Sequence, residues 1–260
     1  MAEFEYRSVK FSFSDTGKGK AIVFLHGFLE NRFMWDELSE FLPKSYRKIA
    51  IDLPGHGNSA NLGYIHTMED MSDMVKALLD HLKIKKHFCV GHSMGGYVSL
   101  ALAEKYPDNI RGLILMNSTS RADSEEKKKN RDRAVALAKK SHKSYIRLSI
   151  PNLFRPKNRK IFAKELNWVK NEALKTSKQS VIAALEGMKI RPDREVLLHF
   201  SPYPVMLIAG KHDPILNFKE LEEQMQAEKV IGLVCPNGHM SHIEDKDQVF
   251  NGLKKFFREN

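Results

Sequence analysis

Apolar residues along this chain gather into short, nearly continuous runs: Ala21 to Leu25, Lys48 to Leu53, His87 to Val90, Ile110 to Met116, Val205 to Ala209 and Val230 to Cys235. Each has the length of a strand, and runs this apolar belong in a sheet covered on both faces. The stretches between them carry a different period. Met71, Met74, Val75, Leu78, Leu79 and Leu82 follow the i, i+3, i+4, i+7, i+8, i+11 spacing of one helix face, behind Thr67 and Asp70, which form a capping pair. Val249, Phe250, Leu253, Phe256 and Phe257 make a second stripe, and Phe218, Leu221 and Met225 a shorter one behind Asn217 as N-cap. Strands alternating with helices predict an α/β fold with a mostly parallel sheet, because parallel neighbours need crossover connections. Residues Phe4 to Phe13 alternate with period two instead, as an antiparallel edge hairpin does.

The alternation breaks once, between Asn117 and Val205. This interval holds helical stretches at Glu125 to Lys140, Arg159 to Lys175 and Ser177 to Met188, interrupted by Pro151 and Pro156, with apolar positions at Ile161, Phe162, Leu166 and Val169. A helical insertion beside the active edge of a sheet reads as a cap. The expected division is residues 1–119 and 200–260 as core and 120–199 as cap, with 260 residues forming one core plus the insert.

Charge singles out the same interval. The chain carries a net +10; from Arg121 to Glu195 there are 21 Lys and Arg against 9 Asp and Glu, leaving a balance of −2 for the rest. Exposed basic helix faces keep a protein in solution, and Arg121, Arg147 or Arg191 facing a cleft would recruit an anionic substrate. No nucleic-acid-binding module accompanies the charge, so nucleic acid is not an expected partner. The first residues lack a basic, then apolar, secretory leader, and no apolar run reaches the roughly 18 residues of a membrane span, so a soluble cytoplasmic protein is expected. Cys89 and Cys235 each sit inside a strand-like run and read as reduced core residues, not as a disulfide or a metal site. Nothing in the sequence specifies an oligomeric state.

The chemistry centres on Gly91-His92-Ser93-Met94-Gly95-Gly96, which follows the apolar run ending at Val90 and precedes a helix-like run from Tyr97 to Tyr106. The G-x-S-x-G pattern alone is common, but between strand and helix it is a nucleophile elbow: a sharp turn, crowded enough to need glycines, that lifts a serine hydroxyl above the sheet. A serine nucleophile needs a base, and the base needs a group to fix its tautomer. Asp213, in Gly210-Lys211-His212-Asp213-Pro214, and His239, in Pro236-Asn237-Gly238-His239-Met240, each follow a strand-like run and so fall at the sheet edge where α/β active sites lie. His242 competes with His239 for the base, whereas Glu244 and Asp245 read as the first turn of the last helix. The turn His26-Gly27-Phe28 can aim the Phe28 amide at the site, with the Met94 amide as second oxyanion donor. His26, Asp52 and His56 read as structural. Leu29 and Trp35, with Phe28 and Met94, are candidates for an apolar acyl pocket.

On His26-Gly27-Phe28, Asp52 to Ser59, Gly91 to Gly96, Gly210 to Asp213 and Gly238-His239, which occur in the family's order, the chain resembles the α/β-hydrolase superfamily with a cap between strands six and seven. The resemblance implies an eight-stranded sheet flanked by helices, a Ser-His-Asp triad and no cofactor. A serine at the elbow separates the chain from the dehalogenase and epoxide hydrolase branches, which use aspartate there. The leading expectation is hydrolysis of a small ester or thioester through an acyl-serine, the partner being a small acyl substrate. Two alternatives use the same frame. One is a carbon-carbon hydrolase, a perhydrolase or a lyase of the menaquinone-pathway type; that lyase resembles G-Y-S-x-G-G-R at the elbow, where this chain has His92 and Tyr97. The other is a ligand receptor with slow turnover.

Overall fold

In the computed structural model, which describes residues 2–260, eight strands form one sheet in the order β1-β2-β4-β3-β5-β6-β7-β8. The strands are β1 Ala2–Tyr6, β2 Val9–Thr16, β3 Lys20–Leu25, β4 Tyr46–Ile51, β5 His87–His92, β6 Ile110–Met116, β7 Val205–Gly210 and β8 Val230–Cys235. β1 pairs antiparallel with β2, and β2 with β4; every other pairing is parallel. The parallel connections carry α1 Asp36–Phe41, α2 Met68–His81, α3 Met94–Lys105, α4 Glu125–Ser149, α5 Ala163–Ala173, α6 Lys178–Lys189, α7 Val196–Phe200 and α8 Phe218–Gln224, with α9 Ser241–Glu244 and α10 Lys246–Glu259 after the last strand.

Period-two alternation sorts the strand residues onto two faces. Val23, Leu25, Ile49, Ile51, Cys89, Leu113, Leu115 and Leu207 pack with α2 and α3, whereas Ile22, Phe24, Phe88, Val90, Ile114, Met116 and Ile208 pack with α1 and α10. Cys89 and Cys235 therefore lie in different layers, both free and buried. α2 begins where its cap signal put it, with the Thr67 hydroxyl accepting from the Asp70 amide, and Asn217 caps α8 in the same manner. One expectation fails at the edge. β8 borders solvent, and its Ile231 and Val234 are exposed, so its apolar run does not mark a strand covered on both faces.

The insert between β6 and β7 is helical, with shifted boundaries. α4 runs nine residues beyond Lys140 and kinks at Ser141, whose extended backbone (φ −158°) and hydroxyl, 3.4 Å from the Ser144 amide, restart the helix as an internal N-cap. α5 starts only at Ala163, because Pro156 opens a short 3-10 turn before it. α1 and α7, at six and five residues, are too short to show a periodic pattern.

The chain path fixes where a site can form. From β3 it runs outward to β4 and then returns across to β5 on the other side of β3. The carboxyl ends of β3 and β5 therefore flank the point where the winding reverses, the crevice in which open α/β sheets bind ligands.

Candidate active site

Ser93 follows β5 and serves as N-cap of α3 with φ 49° and ψ −113°, a strained left-handed geometry for a residue with a side chain. Close packing holds the turn: a Cβ on Gly95 would lie 2.2 Å from the Leu25 carbonyl oxygen, so only glycine lets β3 approach the elbow. The Ser93 amide donates to the Met116 carbonyl (3.0 Å), and its own carbonyl accepts from the Ser118 hydroxyl (2.8 Å), tying the elbow to the end of β6.

Asp213 and His239 come from the loops after β7 and β8. His239 Nδ1 lies 2.7 Å from Asp213 Oδ2, and both side chains are buried. An ionised carboxylate only accepts, so Nδ1 carries the proton and Nε2 is left as the basic nitrogen. Burial acts to raise the Asp213 pKa, but His239 together with the Ile215 and Leu216 amides on Oδ1 (2.8 and 3.0 Å) outweighs it and holds the carboxyl below its ordinary value. Asn117, at the end of β6 with φ 45°, braces the pair by donating to Asp213 Oδ2 (3.3 Å) and to the Gly238 carbonyl (3.1 Å).

Ser93 and His239 line one cavity of about 260 Å³, together with Phe28, Leu29, Tyr97, Tyr145, Ile150, Leu185 and Met188. The insert supplies its roof. Among the described residues, neither the Phe28 nor the Met94 amide has a protein acceptor, which leaves both free for an oxyanion. His242 does not contend for the base: it is buried in the next turn, without a bond to Asp213, and burial pushes it down to about 3.

Trp35 corrects the sequence reading. It is fully buried on the opposite side of the sheet, stacked on Phe24 at 5.1 Å between ring centres, and lines no part of the cavity. A tryptophan shortly after the oxyanion turn has two routes, into the cleft or under the sheet, and the 3-10 turn Arg32–Trp35 directs it under. Leu29 does line the cavity. Glu244 is also more than a first-turn residue. It ends α9 and accepts from the Arg155 amide (3.0 Å) and Asn158 Nδ2 (2.8 Å), while the His239 amide donates to the Leu153 carbonyl (3.1 Å), so the insert is bolted to the histidine loop.

Composition gave no sign of a buried Glu30–His92 pair under the site. Glu30 Oε2 accepts from the Gly27 amide (2.9 Å) and meets His92 Nδ1 at 2.6 Å, while His92 Nε2 lies 3.0 Å from the His239 carbonyl oxygen. Both His92 partners are acceptors, so both ring nitrogens must donate and the ring is an imidazolium. Burial alone would lower the His92 pKa, but Glu30 overrides it and raises the group, while His92 in turn holds Glu30 down to about 2 against burial. This strap joins the turn His26-Gly27-Phe28 to the backbone of His239. The signal available in the sequence was Glu30 three residues after Gly27, but its partner lies 62 residues away. His26 and Asp52 behave as structural residues: His26 bridges Gly27 and Leu53, and Asp52 pairs with buried Arg32 at 2.6 Å.

The family model for the alpha/beta hydrolase fold matches residues 20–247. This chain belongs to the α/β-hydrolase family. Among solved structures it is similar to a thermophilic esterase from Thermogutta terrifontis, malate bound, at 31% identity and a TM-score of 0.91, covering 96% of this chain and 94% of that one. Among curated proteins it is 29% identical to the dihydrolipoyllysine-residue acetyltransferase component of the acetoin cleaving system of Pseudomonas putida, over 93% of this chain but only 64% of that longer protein. It is 26% identical to the 2-succinyl-6-hydroxy-2,4-cyclohexadiene-1-carboxylate synthase of Enterobacter sp. (strain 638), over 91% of each. Among the described residues, no helix of this hydrolase is long and apolar enough to cross a membrane, and no group of three metal-ligating side chains occurs.

Proposed function

We propose that this α/β-hydrolase is a cofactor-independent serine esterase, acting on small ester or thioester substrates under a cap formed by residues 120–199 on a core of 1–119 and 200–260. The reading rests on one observation: His239, its Nδ1 held by buried Asp213, shares a cavity with the strained Ser93 at the winding reversal of the sheet. The 31% identity with an esterase of the same fold supports it.

Ser93 Oγ attacks the substrate carbonyl carbon while its proton passes to His239 Nε2, and the tetrahedral oxyanion is held by the Phe28 and Met94 amides. Asp213 keeps the ring in the reactive tautomer and stabilises the imidazolium. When the intermediate collapses, His239 gives that proton to the leaving oxygen or sulfur. Water then loses a proton to Nε2 and attacks the acyl-serine, and the acid leaves as Ser93 recovers its proton. Leu29, Ile150, Leu185 and Met188 form the apolar wall around the acyl group.

The test is hydrolysis of p-nitrophenyl esters of increasing chain length, with fluorophosphonate labelling, by the unmodified protein and Ser93→Ala. Turnover and labelling lost together in the variant sustain the reading. Labelling of Ser93 without turnover of any ester would favour the synthase-type chemistry of the Enterobacter relative, a reading that its match over 91% of both chains keeps in play while His92 and Tyr97 at the elbow speak against it.

A further inference from the structure

The cavity at Ser93 has a neighbour of about 310 Å³, and the two share Tyr97, Arg131, Tyr145, Leu185 and Ile215. Arg131 thus stands at their junction. Beside it, one buried carboxylate serves two guanidinium groups: Asp123 pairs with Arg131 Nε and, at 2.8 Å, with Arg191 Nη1. One anion for two permanent cations leaves an unbalanced positive charge at the end of the cavity.

The two arginines differ in what they have left to give. Both terminal nitrogens of Arg191 are committed: Nη1 also donates to the Met188 carbonyl (2.8 Å), Nη2 to the Arg121 carbonyl (3.1 Å), and its Cζ lies 3.9 Å from the centre of the Tyr97 ring. Arg131 spends only Nε on Asp123; among the described residues nothing accepts from Nη1 or Nη2. A guanidinium held by its inner nitrogen, with the outer pair of donors free, is the geometry that receives a carboxylate through two parallel bonds. The other two arginines that the sequence singled out are elsewhere: Arg121 is locked to Glu195 and Glu223, and Arg147 is exposed and lines neither cavity.

We propose that Arg131 is the specificity residue of an anion subsite that binds a carboxylate at the far end of the acyl group, so that the preferred substrates are half-esters of short dicarboxylic acids. This rests on the esterase reading above and deepens it. The acyl carbons lie along the apolar wall between Ser93 and Arg131, and the oxyanion turn and the guanidinium grip opposite ends of the same molecule.

The experiment measures kcat/KM for p-nitrophenyl hemisuccinate, hemiglutarate and hemiadipate against neutral acyl esters of matched length, in the unmodified protein, Arg131→Gln and Arg131→Lys. The half-ester to neutral ratio is expected to fall by about tenfold or more in Arg131→Gln, through KM, as one charge-assisted bidentate contact is lost. Arg131→Lys keeps a charge for Asp123 but not the fork, so it lowers the same ratio by less and remains informative should the glutamine variant fail to fold. Separately, glutarate is titrated calorimetrically into Ser93→Ala and into Ser93→Ala with Arg131→Gln. Saturable binding lost in the double variant supports the subsite without any turnover. An unchanged ratio, or glutarate binding that ignores Arg131, overturns the subsite and leaves the esterase standing if neutral esters react. Arg131-dependent glutarate binding with no turnover of either ester series overturns the esterase reading and leaves the subsite standing.

Discussion

The floor and the roof of the cavity are built on opposite plans. The floor is made of strand ends: Ser93, Asp213, His239 and the Phe28 turn leave the sheet at fixed points, and buried bonds from Asn117, Glu30 and His92 tie them together. The roof is made of helices whose inner face is a few apolar residues with Arg131 and Tyr145 near one end, and whose outer face is basic. On the proposed reading, a floor of this kind fixes the bond that is broken, and a roof of this kind decides which molecule carries it. Changes in the floor should depress every substrate alike, whereas changes in the roof should reorder them.

The hardest test of that division is Ser93→Ala, which should lower kcat/KM by at least about 10⁴-fold on every ester, with the folded circular dichroism spectrum retained. A substrate-dependent loss would mean that the floor also selects. Next in size is the strap. Glu30→Gln removes the partner of a buried imidazolium and is expected to cost about 3–5 kcal/mol in urea unfolding at pH 6, with a lower kcat as the oxyanion turn loosens. The effect has a pH window. His92 is raised above its ordinary 6.5, so its contribution is complete below that value and is lost as pH rises through the elevated one. Glu30 is depressed from 4.5 to about 2, so its contribution is complete above 4.5 and is lost on acidification toward 2. The gap between the unmodified protein and Glu30→Gln should thus be widest from about pH 4.5 to 6.5. A gap that does not shrink at alkaline pH would show that His92 is neutral.

Beneath the floor, at the start of β5, His87 is fully buried with neither ring nitrogen bonded, and burial pushes it down to about 4. A depressed histidine stabilises the fold above 6.5, and that stability drains away as the unfolded chain takes up the proton first. Going from pH 6.5 to 5, this one group costs about 2 kcal/mol. His87→Leu should therefore flatten the acid limb of thermal stability, while rates at pH 8 stay as they were. His56 and His242, each near 3, and His66, near 4, steepen the same limb in the unmodified protein.

These two plans also explain what could be read without coordinates. Strand ends are local: the run before Gly91 and the runs before Asp213 and His239 announce themselves in a few residues, so the placing of these residues at the sheet edge was legible, whereas the order of the strands, a long-range property, was not. Thr67 and Asn217 marked helix starts for the same reason, since a cap is a contact within one turn. What escaped depends on pairs far apart in the chain. Glu30 meets His92, Arg131 lines the same cavity as Ser93 and His239, and Trp35 goes under the sheet because Phe24 waits there. Arg121, Arg147 and Arg191 look as suitable as Arg131 when only charge is counted, and the distinction appears only in which of them lines the cavity and which terminal nitrogens remain unbonded.

Floor and roof meet at Glu244, and the smallest predicted effect is there. Its Oε1 accepts from the Arg155 amide and from Asn158, both in the insert, beside the point where Leu153 receives the His239 amide. Burial leads in raising the Glu244 pKa, with these donors working against it, so the carboxylate is a strained acceptor at neutral pH and its bonds weaken first on acidification. Glu244→Gln keeps an oxygen for both donors but removes the charge that strengthens their bonds and places an amide group where Oε2 has no partner, and should cost about 1–2 kcal/mol of overall stability. If the junction only holds the roof on, KM should rise a few-fold on long and short esters alike, with kcat nearly constant. If the roof also positions His239 through Leu153, kcat should fall with KM, and the pH profile of kcat should shift relative to the unmodified protein. The first pattern keeps floor and roof separable; the second would make the insert part of the catalytic machinery and end the division of labour between them.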